Sequence, residues 1–130
     1  MIVGIGIDII DIRRIEKTIN KYGDRFIKKC FLQTEIQRSE NRRNTIQSYA
    51  KRYAAKEACA KALGTGLARG VYWKDIEVSN NNLGKPILTL HNKAAKILNQ
   101  ISYKNTRIEV SLSDEKNYAI SNVIIFNEKI

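Results

Sequence analysis

Residues 1–17 read MIVGIGIDIIDIRRIEK, and the spacing of the apolar positions changes inside this stretch. Up to residue 10 the period is two: Val3, Ile5, Ile7 and Ile9 fall on one face of a strand, and Gly4, Gly6, Asp8 and Ile10 on the other. From residue 12 the period is that of a helix, with Ile12, Ile15 and Ile19 as its apolar stripe and Asp11 placed to cap its first turn. Glycine weakens a strand, and its presence there marks a site where a ligand or another backbone approaches closely. Asp8 is left without a structural task beside two positions that lack side chains. It is the first candidate functional residue.

Working outward, the opening helix covers about 12–21 and breaks at Gly23, and two short helices follow around Arg25–Cys30 and Thr34–Ser39. The longest helix is Thr45–Leu63, TIQSYAKRYAAKEACAKAL, which holds neither Gly nor Pro and stops at Gly64. Strands near Ile76–Ser79 and Ile87–Leu90 are joined by turn residues in NNNLGKP, and a short helix covers Asn92–Gln100. Ile108, Val110 and Leu112 alternate in a strand that DEKN connects to a returning strand, Tyr118–Phe126. The expected class is α+β: a mostly antiparallel sheet, a long central helix and several short helices, forming one domain over residues 1–130.

The composition narrows the function classes. At 130 residues the chain is long enough for one core, and no apolar run is long enough to span a bilayer. Cys30 and Cys59 show neither metal-ligand spacing nor a disulfide framework, and no basic leader precedes the first strand, so a cytosolic protein is expected. The net charge is +10; residues 1–64 carry fourteen Lys or Arg against seven Asp or Glu, or +7 of that total. Such a field speeds encounter with an acidic partner, without choosing among nucleic acid, membrane, protein or phosphorylated small molecule.

A second carboxylate lies on the long helix. Ile46, Ala50, Tyr53 and Glu57 recur at steps of four and three, so Glu57 falls on the core-facing stripe with Lys61 one turn further. A carboxylate among Tyr53, Ala54 and Ala58 needs a cation. Lys61 is one candidate and a metal shared with Asp8 is the other, since two carboxylates completed by phosphate oxygens and water are a usual Mg²⁺ seat. Lys61 and the backbone N–H groups of Gly64, Thr65 and Gly66 are then placed to receive phosphate.

The motifs together resemble the holo-acyl-carrier-protein synthase family, the small type of phosphopantetheinyl transferase. GIGIDII at 4–10 is similar to that family's opening strand. RYAAKEACAKALGTG at 52–66 resembles its most specific signature, in which Phe commonly stands at the position of Tyr53. LGKPILTL at 83–90 and VSLSDEKNYAISNVI at 110–124 resemble the third and last motifs. The resemblance implies transfer of the 4′-phosphopantetheine arm of coenzyme A to a serine of apo acyl carrier protein, with release of adenosine 3′,5′-bisphosphate. It implies Mg²⁺ held by Asp8 and Glu57, and a homotrimer with active sites between subunits. It also implies docking of the acidic carrier protein on the first helix at Arg14, a region that Lys21 and Arg25 extend. On that reading Lys61 offsets phosphate charge, Glu57 accepts the serine proton, and Lys85 beside Pro86 contacts nucleotide phosphates.

One departure stands out: where the family often has His after Ser-x-Ser, this chain has Asp114, and a carboxylate repels phosphate unless a cation intervenes. His91, the only histidine, precedes a helix elsewhere and is read as structural or surface. Two rivals remain at this stage. A small basic RNA-binding domain accounts for the charge and for Tyr22, Tyr49, Tyr53, Tyr72, Tyr103 and Tyr118, but those residues form no clustered stacking platform. A metal-dependent phosphate-ester hydrolase uses the same carboxylates without an acidic protein partner.

Overall fold

The change of period at residue 11 is a change of element in the computed structural model, which describes residues 1–67, 70–102 and 104–128. Strand β1 is Ile2–Asp11 and helix α1 is Ile12–Tyr22. The Asp11 side chain accepts the Arg13 N–H at 3.0 Å, capping the helix as its position suggests. Helices α2 (Asp24–Cys30), α3 (Gln33–Glu40) and α4 (Thr45–Leu63) follow, and Gly64 ends α4 in the left-handed conformation. After a single 3₁₀ turn at Trp73–Asp75 come β2 (Ile76–Asn80), β3 (Pro86–Leu90), α5 (Asn92–Ile101), β4 (Thr106–Asp114) and β5 (Tyr118–Asn127). The fold is α+β. Tyr103 lies outside the described residues.

The strands form a three-stranded sheet, β1-β5-β4, and a separate β2-β3 hairpin, all antiparallel. Helix α4 packs across β1 and β5, and the glycine face of β1 is the face that it covers. A Cβ at Gly4 would lie 2.1 Å from the Ala62 carbonyl oxygen, and one at Gly6 would lie 1.8 Å from that of Ala58. The close approach that the glycines signal is therefore made by the backbone of α4. The opposite face is open: Ile5, Ile7 and Ile9 are each about 60% exposed, and Ile120, the register partner of Ile9, lies beside them.

Two apolar clusters flank α4. Ala55, Ala58, Cys59 and Ala62 pack with Val110, Val123 and Ile125 on one side, and Tyr49, Ala50 and Ala54 pack with Ile10, Ile15 and Phe31 on the other. Both thiols are buried, and burial pushes Cys30 up to about 11 and Cys59 to about 12, which leaves them as small apolar fillers. Lys56, the neighbour of Glu57, is fully buried. Its ammonium donates to Glu35 Oε1 at 2.8 Å and to the carbonyls of Trp73 and Ile76 at 2.9 and 2.6 Å. Glu35 in turn accepts the N–H groups of Leu32 and Val78. Every donor and acceptor of this interior pair is engaged, the condition under which a buried ion pair is tolerated. The pair ties α3 and β2 to α4.

Candidate active site

Asp8 sits on the covered face of β1, two residues beyond Gly6, and its side chain is only 12% exposed. Its Oδ1 accepts the Lys61 ammonium at 2.9 Å, and Lys61 also donates to the Ile7 carbonyl at 3.0 Å. Its Oδ2 is buried with no hydrogen-bond partner, and so is the hydroxyl of Ser121, the residue opposite Asp8 in β5. Glu57 is half-buried at the same crossing of β1 and α4. Burial first, and then the negative charge of Asp8, push the Glu57 carboxyl above its ordinary range; Lys61 and Arg14 pull it down. Asp8 and Glu57, from distant parts of the chain, are thus near enough for the charge of one to act on the other, and Lys61 pairs with Asp8.

Two crowded carboxylates with an orphaned buried oxygen fit a divalent cation whose remaining positions are filled by phosphate oxygens and water. Among the described residues no group of three His, Cys, Asp or Glu side chains is placed to hold a metal unaided.

The turn after α4 behaves differently from expectation. The N–H of Gly64 donates to the Lys61 carbonyl, and those of Thr65 and Gly66 donate to the Ala60 carbonyl. These three backbone donors close the helix end and are not free for phosphate, because a helix C-terminus must satisfy its own carbonyls. The Thr65 hydroxyl, buried and unpartnered, is the donor this turn retains.

The basic residues fall into two groups. Arg14, Lys21 and Arg25 are exposed on α1 and α2, and none of them is in an ion pair among the described residues. Arg14 is close enough to Glu57 to act on its carboxyl. Arg25 lines a hollow of about 260 Å³ with Thr18, Tyr22, Phe26 and Lys29. The second group, which the sequence did not single out, lines a cleft of about 320 Å³ bordered by Arg38, Arg42, Lys51, Arg52, Pro86 and Asp114. Arg52 is 5% exposed, and its Nε has no partner. Asp114 is accommodated there by Lys51, whose ammonium is 3.2 Å from its Oδ1. Lys85 points elsewhere and pairs with Glu109 at 3.0 Å. His91 lies against Glu77 at 2.9 Å, a surface pairing consistent with a structural role.

A site of this kind, with paired carboxylates, a lysine and a basic cleft, belongs to the class of proteins that handle phosphorylated substrates. The family model for the 4′-phosphopantetheinyl transferase superfamily matches residues 4–123, and the chain belongs to that family of enzymes. It is 48% identical over 130 residues to the holo-[acyl-carrier-protein] synthase of Rhizobium leguminosarum bv. trifolii, covering all of this chain and 97% of the relative. It superposes with a TM-score of 0.80 on the Bacillus anthracis holo-(acyl-carrier-protein) synthase crystallised in complex with CoA (3′,5′-ADP), at 35% identity over 98% of this chain and 99% of that one. The Helicobacter pylori holo-[acyl-carrier-protein] synthase in complex with coenzyme A gives a TM-score of 0.80 at 30% identity, over 94% and 99% of the two chains.

Family membership removes the grounds for the RNA-binding reading. Tyr49 is fully buried and the half-buried Tyr53 is stacked on Trp73 at 4.2 Å, so two of the six tyrosines are engaged in packing. No described helix is long and apolar enough to cross a membrane.

Proposed function

We propose that this protein transfers the 4′-phosphopantetheine group of coenzyme A to a serine of an acidic apo acyl carrier protein, in the service of cytoplasmic fatty acid biosynthesis. The observation that carries the reading is the meeting of Asp8 and Glu57, beside Lys61, in a chain of the phosphopantetheinyl transferase family. The serine oxygen forms a bond to the phosphorus that bears the pantetheine arm. The pyrophosphate P–O bond breaks, and adenosine 3′,5′-bisphosphate leaves. A Mg²⁺ ion held by Asp8 and Glu57 supplies charge neutralisation at the pyrophosphate when bound.

The protein's own groups account for the rest. Glu57, half-buried beside Asp8 and Lys61, is suited by position to accept the serine proton directly or through water. Lys61 and the Thr65 hydroxyl are the donors available to phosphate oxygens. The cleft of Arg38, Arg42, Lys51 and Arg52, with Pro86 on its rim, suits the nucleotide phosphates of coenzyme A, with Lys51 shielding them from Asp114. Gly64 and Gly66 contribute the shape of the turn, and Lys85 is a nucleotide contact only after leaving Glu109. The open isoleucine face of the sheet supports a homotrimer with sites between subunits, each built on one 1–130 domain.

Incubating the protein with apo acyl carrier protein, coenzyme A and Mg²⁺, and then weighing the carrier protein, tests the reading. The carrier protein is expected to gain one phosphopantetheine arm, and an unchanged mass overturns the assignment.

Docking is tested separately. Arg14, with Lys21 and Arg25 beyond it, presents free positive charge next to Glu57, so Arg14→Glu is expected to raise the apparent KM for carrier protein by about tenfold, or about 1.4 kcal/mol. The KM for coenzyme A is expected to change little. Equal KM values for carrier protein in the variant and the parent place docking elsewhere.

A further inference from the structure

The carboxylate of Asp8 is asymmetric in a way that bears on how a cation reaches it. Oδ2 is buried and unpartnered, and the Lys61 ammonium sits on the other oxygen, Oδ1, at 2.9 Å. The two partners differ in freedom. Asp8 is 12% exposed on a paired strand, while Lys61 is 51% exposed at the end of a flexible stem. Its second acceptor, the Ile7 carbonyl, belongs to the same strand.

We propose that Lys61 is the resident counter-ion of Asp8: it holds the place of the divalent cation in the free protein and moves to a phosphate oxygen when cation and coenzyme A bind. The inference rests on the reading of Asp8 and Glu57 as a metal seat. An ammonium and a doubly charged cation cannot occupy the same side of Oδ1, because they compete for its lone pairs and repel each other. Lys61 therefore weakens cation binding to the free protein. Once the pyrophosphate gives the ammonium another partner, the same lysine stops opposing the cation. Coenzyme A and cation then favour each other's binding, by a coupling that is reciprocal.

The test measures Mn²⁺ binding by the electron paramagnetic resonance signal of the free ion, without carrier protein, in the presence and absence of coenzyme A. In its absence Lys61→Met is expected to bind Mn²⁺ about tenfold more tightly than the parent protein, within the usual range of coupling between sites. Lys61→Arg, which keeps a cation at the end of the chain, is expected to stay near the parent. Coenzyme A is expected to tighten Mn²⁺ binding in the parent and to do so much less in Lys61→Met. Mn²⁺ affinity in Lys61→Met equal to or weaker than the parent's overturns the counter-ion role while leaving the metal seat standing. Mn²⁺ binding that survives Asp8→Asn undiminished removes the seat itself, and the exchange with it.

Discussion

Alanine at Asp8 or at Glu57 is expected to lower phosphopantetheine transfer by about a thousandfold or more, a loss of about 4 kcal/mol of transition-state stabilisation, while leaving thermal stability unchanged or slightly raised. The two readouts are argued from the same geometry. Asp8 keeps an unpartnered oxygen in the protein interior, and an unsatisfied buried carboxylate oxygen costs free energy in the free protein. Glu57 is half-buried, and its carboxyl is pushed up by burial and by the negative charge of Asp8. Removing either side chain relieves that crowding. The ion pair with Lys61, which disappears in Asp8→Ala, is partly exposed and of small worth. The residues are thus poor for stability and suited to chemistry, a trade-off often found at active sites. Transfer is read by the mass of the carrier protein and stability by thermal unfolding. Turnover near the parent rate in either variant takes that residue out of the site. A large fall in unfolding temperature with activity intact assigns it to the fold.

Much of this architecture is visible in the sequence because it is set locally. The switch from β1 to α1 is written in the period of the isoleucines and in Asp11, whose cap reaches only two residues along the chain. The limits of α4 follow from an uninterrupted run of helix formers ending at a glycine with a left-handed backbone. Asp8 and Glu57 stand out for a related reason, since each is a charge that its own element does not explain. Lys56 does not stand out. Beside Glu57 in a run of charged and alanine residues it looks solvated, and it becomes interior only because Glu35, Trp73 and Ile76 arrive from elsewhere in the chain. The cleft of Arg38, Arg42, Lys51 and Arg52 is hidden in the same way, as it is closed by Pro86 and Asp114 from two other strands. The glycine-rich turn misleads in the other direction. Its N–H groups resemble a phosphate cradle, but the end of α4 needs them for its own carbonyls.

The second large effect is expected at Gly6. Gly6→Ala adds one methyl group, and a strand accepts alanine without backbone strain, so propensity alone predicts a small gain. The structure predicts the opposite. The new Cβ would stand 1.8 Å from the Ala58 carbonyl oxygen, 2.8 Å from its carbon and 2.9 Å from the Ala62 nitrogen. All three atoms are main chain, so no side-chain rotation relieves the overlap, and β1 must separate from α4. Neither can yield alone: β1 is paired along its length with β5, and α4 is buried between two cores. Close-packed interiors accommodate such shifts poorly. We expect a loss of about 3–5 kcal/mol, seen as a fall of more than about 10 °C in the unfolding temperature followed by circular dichroism. Transfer activity is expected to fall as well in whatever protein remains folded, because Asp8 is carried by β1 and Glu57 adjoins Ala58 on α4, and the separation that accommodates the methyl group moves the two carboxylates apart. A second substitution distinguishes this cause from ordinary crowding of side chains. Ala58→Gly removes the only side chain at that position and leaves its carbonyl in place, so it is expected not to rescue Gly6→Ala. Restored stability in the double variant, or an unfolding temperature in Gly6→Ala within about 2 °C of the parent, rules out backbone contact as the reason for the glycine.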